Sequence, residues 1–305
     1  MRYLYYIGLI AVVLMSCQKV DRSNYRYVKD ISQQDWCMWL DKEAEWEDDQ
    51  LYLPPLNVDT LPTNPPTIGW DELQARQGVE IELPATVEEY HWGDNGNHFG
   101  TAGNYVGVSW FTKKLTIPEK LRNKRIVLHF QSARMRAEIY VNRKLAGYNL
   151  IDSTPFVVAI DDDVNYGEEN FIAVRITDPN GNFTWCDWPL FKWGEYKTIP
   201  SHGFGGITGK VKMIATDKTY IEDVFVKNKP AITEVDVQVD LNTNLTSMPE
   251  GRIKFTVKEH NSQKVVWIGQ KRIKSQNPDK YVEKISCENA KLWSPDNPFL
   301  YDINV

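Results

Sequence analysis

The sequence predicts an all-β chain built as two tandem sandwiches. Three observations carry that expectation. Apolar residues recur at every second position in successive runs from about residue 68 onward. Asn, Gly and Pro punctuate those runs at short intervals. Past the first fifty residues no stretch of ten or more keeps a helical period. A length of 305 residues leaves room for two domains, at ~100–200 residues each.

Composition narrows the class of partner. The chain is 42% hydrophobic and 25% charged, with a formal net charge of −6. No basic face is available to displace counterions, so nucleic acid is excluded as a partner. Sixteen Pro and eighteen Gly are scattered without a repeat, which excludes collagen-like and low-complexity chains. Eleven Trp and fifteen Tyr suit sandwich cores and sugar-stacking surfaces equally, so their number decides nothing.

Residues 1–16 read as a signal peptide. Arg2 precedes an apolar run from Tyr3 to Met15, too short for a ~30 Å hydrocarbon core that needs roughly twenty residues, but right for a secretory h-region. The ending Leu14-Met15-Ser16-Cys17 resembles a bacterial lipobox. That resemblance makes Cys17 the lipidated first residue of the mature chain and gives the protein a membrane anchor, each buried methylene contributing ~0.8 kcal/mol. The other reading is an ordinary cleaved signal with an incidental Cys. Gln18 in place of Asp fits export to the outer membrane or periplasm of a Gram-negative bacterium.

Residues 17–67 read as a tether and an extended arm. The stretch 18–35 is polar; Trp36, Trp39, Leu40 and Trp46 then fall at mixed three- and four-residue steps, which permits one short helix. Pro54-Pro55, Pro62 and Pro65-Pro66 forbid regular structure, so 50–67 should lie extended on something else. The first sandwich is expected over 68–218. Ile126, Leu128 and Phe130 alternate there, as do Ile172, Val174 and Ile176. Met135, Ala137, Ile139 and Val141 alternate with Arg136, Glu138, Tyr140 and Asn142. Period two with one polar face predicts antiparallel sheets packed on one side. The second sandwich is expected over 219–305, where Val235, Val237, Val239 and Leu241, then Ile253, Phe255 and Val257, then Tyr301, Ile303 and Val305 repeat the pattern. That strand density suits a small immunoglobulin-like β-sandwich.

Neither metal nor cofactor is implied. After Cys17 only Cys37, Cys186 and Cys287 remain, far apart, and three thiols make no disulfide framework. An oxidising compartment permits one bridge among them; otherwise they read as unpaired and partly buried. His91 and His98 flank a Gly- and Asn-rich loop with Asp94, but no spacing fixes them as ligands. The Asp161-Asp162-Asp163 run reads as a solvated turn.

Five segments in order resemble glycoside hydrolase family 2. Gly107 to Pro118 is similar to the strand that opens that family's sugar-binding jelly roll. Ala137-Glu138-Ile139-Tyr140-Val141-Asn142 with Gly147 is similar to its hairpin, Arg143 standing where Gly is usual. Thr154-Pro155-Phe156 and Glu169 to Arg175 continue the pattern, and Phe204-Gly205-Gly206-Ile207 with Val211-Lys212-Met213 closes it. Leu292 to Tyr301 resembles the strand that ends the family's immunoglobulin-like domain. Each segment has a local reason too. Trp110, Ile139 and Val141 are expected as inward anchors. Asn142 can hold a turn through its side chain, Pro118 can end a strand, and Gly205-Gly206 permits a close backbone approach.

The resemblance implies a galactose-binding-like jelly roll followed by an immunoglobulin-like sandwich, and β-galactosidase, β-glucuronidase or β-mannosidase activity in a full-length parent. It also implies sugar contacts from the jelly-roll loops. Asn104, in Asn104-Tyr105-Val106-Gly107, matches an Asn that meets sugar hydroxyls, which an amide can both donate to and accept from. Asp187, between Trp185 and Trp188, stands nearest the acidic residue expected before the Gly-Gly-Ile strand; Trp188 would offer an indole face to the pyranose. The bland alternatives are a loop Asn stabilising its own turn and Trp side chains that cover the sandwich end. The family's catalytic (α/β)8 barrel needs about 250 residues, and its two Glu side chains sit ~5–5.5 Å apart. Neither is found here, so no catalytic residue is assigned. Two expectations stay open: the non-catalytic front of a longer hydrolase, which the β-patterned final strand favours, or a stand-alone glycan-binding lipoprotein.

Overall fold

The computed structural model describes residues 26–44, 57–61, 63–75, 78–91, 105, 107–134, 136–151, 153–178, 192–193, 196–197, 205–273 and 280–305. The elements of the first half are β1 (Arg26–Asp30), β2 (Trp36–Asp41), α1 (Trp70–Ala75), β3 (Val79–Ile81), β4 (Ala85–Thr86), α2 (Val87–Tyr90), β5 (Gly107–Thr116), β6 (Arg125–Phe130), β7 (Arg136–Val141) and β8 (Lys144–Asn149). There follow β9 (Phe156–Ala159), β10 (Glu169–Asp178), β11 (Lys192–Trp193), β12 (Tyr196–Lys197), β13 (Gly206–Ile207) and β14 (Val211–Thr216). The second half holds β15 (Thr219–Asn228), β16 (Glu234–Thr243), β17 (Gly251–Glu259), β18 (Val265–Ile273), β19 (Lys280–Ser286) and β20 (Tyr301–Asn304).

The fold is all-β. A six-stranded sheet, β3-β2-β5-β10-β7-β8, faces a four-stranded sheet, β1-β14-β6-β9, and together they form the jelly-roll sandwich. Phe111, Leu115, Ile139, Val141, Ile172 and Val174 meet Leu128, Phe130, Val211 and Met213 between the sheets. Each large side chain so buried stabilises the fold by about 1.5–3 kcal/mol at most. The second sandwich pairs β15-β16-β19 with β18-β17-β20, closing on Val237, Val239, Phe255 and Val257. This is the immunoglobulin-like unit, and its alternating positions were read correctly from the sequence.

Four expectations need correction. The polar stretch before residue 36 is not wholly a tether: β1 pairs along β14 from Arg26↔Thr216 to Asp30↔Lys212. Residues 36–41 form a strand, not a helix, lying between β3 and β5. Trp36, Met38 and Leu40 turn inward to the core while Trp39 turns outward, so period two outweighed the accidental helical spacing. The stretch from 68 opens with the short helix α1, whose Leu73 is buried. Finally, the six-stranded sheet is covered on both faces, so the side expected to meet water is buried along all of β7.

What covers that outer face is the end of the arm together with the α1 segment that follows it. Leu61, Ile68, Trp70 and Leu73 pack over Val108, Trp110, Tyr140 and Phe171. Trp110 is therefore an anchor, but outward, under the arm rather than between the sheets. Its ring meets Trp70 edge-on at 5.4 Å and Tyr140 at 5.6 Å. Of the expected arm, Leu61, Asn64 and Thr67 lie against the sheet, while Val58–Thr60 forms a 3-10 turn where no regular structure was expected, and residues 50–56 and 62 lie outside the described residues.

Candidate functional site

The jelly roll has one end where its chemistry-bearing segments are rooted. β5 begins at Gly107 and β10 ends at Asp178, and these two residues are antiparallel partners. The segment carrying Asn104 therefore enters the sheet beside the place where the segment carrying Asp187 and Trp188 departs. Asn104, Asp187, Trp188 and Cys17 themselves lie outside the described residues, as do Trp185, Cys186, His98 and His202. Of the aromatic stretch, Trp193 is placed only as backbone, paired with Tyr196.

The roots are tightly built. Tyr105 donates its backbone N–H to Glu88 Oε1 at 3.0 Å and its phenol to the Val108 carbonyl at 2.8 Å. Gly107 runs against this ring at φ +141°, where a Cβ would stand 3.1 Å from the Tyr105 hydroxyl. The Val87 N–H donates to the Gly205 carbonyl at 2.8 Å, and Gly206 exchanges two backbone bonds with Arg134 at 2.8 and 2.7 Å. At Gly206, with φ +144°, a Cβ would fall 2.4 Å from the Ala85 carbonyl oxygen. Only glycine fits there, as the Gly-Gly pair suggested.

Glu88 is the unusual group in this cluster. It is 3% exposed, and its Oε2 has no partner among the described residues. Burial raises its pKa, against the pull of the Tyr105 and Gly205 backbone and of Arg134. Sequence reasoning passed over Glu88 because one Glu of a Glu-Glu pair in a short helix carries no mark of burial.

A polar layer under the arm stiffens the same end. Glu138 Oε1 accepts from Arg175 Nη1 at 2.8 Å and lies 3.6 Å from Arg136 Nε. Its Oε2 accepts from the Tyr140 hydroxyl at 2.8 Å and from Asn64 Nδ2 at 3.1 Å. Arg175 also donates to Thr177 Oγ1 at 3.1 Å. Tyr140 in turn accepts the Asn64 N–H at 2.9 Å, and burial next to Glu138 pushes its phenol well above the usual range. Asp41 accepts from Trp110 Nε1 and from the Thr67 N–H, both at 3.0 Å, and from the Thr67 hydroxyl. These carboxylates are committed to holding the arm on the sheet. Their signal was present in the sequence as charges inside strand patterns, yet Arg175 opposite Glu138 becomes visible only with the register.

Other expected features fall into place nearby. Asn142, at φ +49°, holds its turn by accepting the Phe171 N–H at 3.0 Å and donating to the Asp163 carbonyl at 2.8 Å. The Asp161–Asp163 run is a turn, with Asp163 bonded to Lys144 at 2.9 Å. Cys37 and Cys287 are unpaired and half-buried. Among the described residues no three His, Cys, Asp or Glu side chains gather as metal ligands.

The fold and its rooted loops define a class, a jelly roll joined to an immunoglobulin-like sandwich, and known proteins are similar to it. Residues 219–305 match the model of Glycosyl hydrolases family 2. A β-galactosidase of Thermoanaerobacter pseudethanolicus is 27% identical over 218 residues, which is 68% of this chain and 27% of that protein. A β-glucuronidase of Formosa agariphila is 24% identical over 247 residues, 73% of this chain and 24% of that protein. Among solved structures, a calcium-binding mutant of Bacteroides uniformis β-glucuronidase 2 superposes with a TM-score of 0.63 at 18% identity, covering 91% of this chain and 30% of that one. The family match lies on the second sandwich, and the relatives are similar to the chain over both sandwiches. The chain spans about a quarter of the length of these curated relatives.

Proposed function

We propose that this chain is the sugar-recognising, non-catalytic N-terminal portion of an exported family 2 glycoside hydrolase. Its loop end supports the mouth of an active site whose hydrolytic carboxylates stand elsewhere in the full-length parent. The observation that carries this reading is the pairing of Gly107 with Asp178. That pairing brings the roots of the Asn104 and the Asp187–Trp188 segments together over a locked base. Asn104 would exchange hydrogen bonds with sugar hydroxyls, Asp187 would accept their protons, and Trp188 would stack on the C–H face of the ring. The relatives named above support a β-galactoside or β-glucuronide as the ligand class.

The same reading places the mature protein outside the cytoplasm, anchored through lipid on Cys17. The apolar run and the Leu14-Met15-Ser16-Cys17 ending support this. No helix of the described residues is long and apolar enough to cross a membrane. Metabolic labelling with a radiolabelled fatty acid should mark the wild type and not Cys17→Ser.

Calorimetric titration with β-galactosides and β-glucuronides tests recognition. Asp187→Ala and Trp188→Ala should each weaken binding by about tenfold or more, with circular dichroism unchanged. Unchanged affinity in both variants would remove the loop end from the site. Cleavage of an aryl β-glycoside by the purified chain would overturn the non-catalytic assignment.

A further inference from the structure

The second sandwich is closed on one flank and open on the other. At β18 and β19 it is closed: Lys271 reaches across from β18 to donate to the Val282 carbonyl of β19 and lies 3.4 Å from Glu283 Oε2, beside the buried Ile273, Tyr281 and Ile285. The opposite flank is formed by β15 and β20, both edge strands of their sheets among the described residues. Val224 and Val226 of β15 pair directly with Val239 and Val237 of β16, so all four share the inner face. The two β16 valines are 0% exposed, yet Val224 is 37% and Val226 41% exposed. Tyr301 and Ile303 of β20, with Val305 just beyond, pack against the same core and are only half-buried.

We propose that this flank is an interface between two copies of the chain, which pair antiparallel along β20 about a two-fold axis through Ile303. The free backbone groups of β20 lie where such a pairing needs them. The His260 N–H donates to the Leu300 carbonyl at 3.0 Å, and in the same ladder Lys258 stands opposite Asp302 and Thr256 opposite Asn304. Hydrogen bonding alternates along an antiparallel pair. Leu300, Asp302 and Asn304 therefore direct their backbone groups to β17, while Tyr301, Ile303 and Val305 direct theirs to the open edge.

A second copy brings the pattern that the flank requires, because β20 is itself apolar on its inner side and polar on its outer side. Centred on Ile303, the pairing sets Ile303 against its own counterpart and Tyr301 against Val305 of the second copy, each pair exchanging two N–H···O bonds. An aromatic opposite a β-branched residue is a favourable cross-strand combination. On the outer side Asp302 meets Asn304 of the second copy, so no like charges oppose one another. Asp302 is held on the β17 side by His260 Nδ1 at 2.8 Å and Gln263 Nε2 at 3.2 Å. The remaining edges are less open to pairing: Lys280 and Lys284 stand on β19 and Arg272 on β18, charges that blunt an edge. The two-fold brings the inner side chains of one β20 beside those of the other, next to Val224 and Val226, and removes them from water. The same patch serves both copies, so the assembly closes at two.

Sedimentation velocity of the whole chain across a wide concentration range tests the interface. A mass of twice one chain is expected, giving way to the monomer on dilution. Val224→Lys combined with Val226→Lys, on side chains that water already reaches, should raise the dimer dissociation constant by about tenfold or more with circular dichroism unchanged. Phe225→Ser, on the outer face of the same strand, should leave it within about twofold. The register has its own readout. Hydrogen-bonded partners stand about 5.5 Å apart between Cα atoms, within reach of a disulfide. Oxidation by diamide should therefore link Ile303→Cys into a covalent dimer and leave Asn304→Cys unlinked, and this pair carries the test if the double lysine variant fails to fold. A monomer at every concentration overturns the interface. So does a dimer that survives both lysines, or one that stays unlinked in Ile303→Cys. Species that keep growing beyond two copies overturn it as well, because the proposed edge pairing closes. None of these outcomes bears on sugar recognition, which the ligand titrations test by themselves.

Discussion

The two sandwiches obey the same hydrophobic alternation and meet opposite fates on their outer surfaces. In the first, β7 carries Arg136, Glu138 and Tyr140 on its outward side, and all are buried under the arm. In the second, β15 carries Val224, Phe225 and Val226 in succession, on both sides of the strand, and all three are exposed. Charged residues are thus dry and apolar residues wet. Alternation tells which residues share a face; what covers that face depends on segments far away in sequence. The first sandwich concentrates its coverage at the loop end, where Gly107 and Asp178 root the segments proposed to meet sugar.

The largest effects should come from breaking the dry polar layer. Glu138→Ala removes the carboxylate to which Arg175 donates and beside which Arg136 lies, inside a buried layer, and is expected to cost about 3–5 kcal/mol. Urea unfolding, with hydrogen exchange read on β7 and β10, checks it. A loss under about 1 kcal/mol would mean that water enters the layer freely. Asp41→Asn should cost less, about 1–3 kcal/mol, because the amide can still accept from Trp110 or Thr67 but loses the charge. Exchange at Thr67 and Trp110 Nε1 should rise in that variant.

A direct contrast within the second sandwich sharpens the comparison. Phe255 is 0% exposed and Phe225 is 52% exposed. Phe255→Ala should destabilise by about 3–5 kcal/mol, while Phe225→Ser should stay within about 0.5 kcal/mol. Comparable losses at both positions would show that β15 is covered in solution.

Glu88 supplies a pH signature. Its folded-state pKa is raised by burial, so in the interval above the ordinary carboxylate value the native state holds a proton that the unfolded state has released. Stability from this group is therefore complete below the ordinary value and falls as pH rises through the folded one. Glu88→Gln removes that slope. The stability of the wild type relative to the variant should decline from pH 4 toward neutrality, as followed by thermal unfolding across the range. A difference independent of pH would place a solvated carboxylate at Glu88.

Much of the strand pattern was legible because burial between two sheets leaves a strict period of two. Val237, Val239, Phe255, Ile139 and Ile172 were all placed on the right side. The helix expected at Trp36 and Trp39 failed because three- and four-residue steps also arise when a strand carries Trp on both faces. Trp110 was expected between the sheets; it lies under the arm, and sequence alone could not say that both faces of β5 would be covered. Asn142 and Gly206 were legible since left-handed or crowded backbone demands particular residues. Glu88 and the Glu138 layer were not, because a buried charge differs from a surface charge only through partners brought in by register.

Saturation-transfer NMR on the purified chain with a β-galactoside and a β-glucuronide tests carbohydrate recognition most directly. The account predicts transfer to the sugar ring protons that Trp188→Ala diminishes while the fold persists. Absence of transfer to either sugar from a folded chain would contradict it.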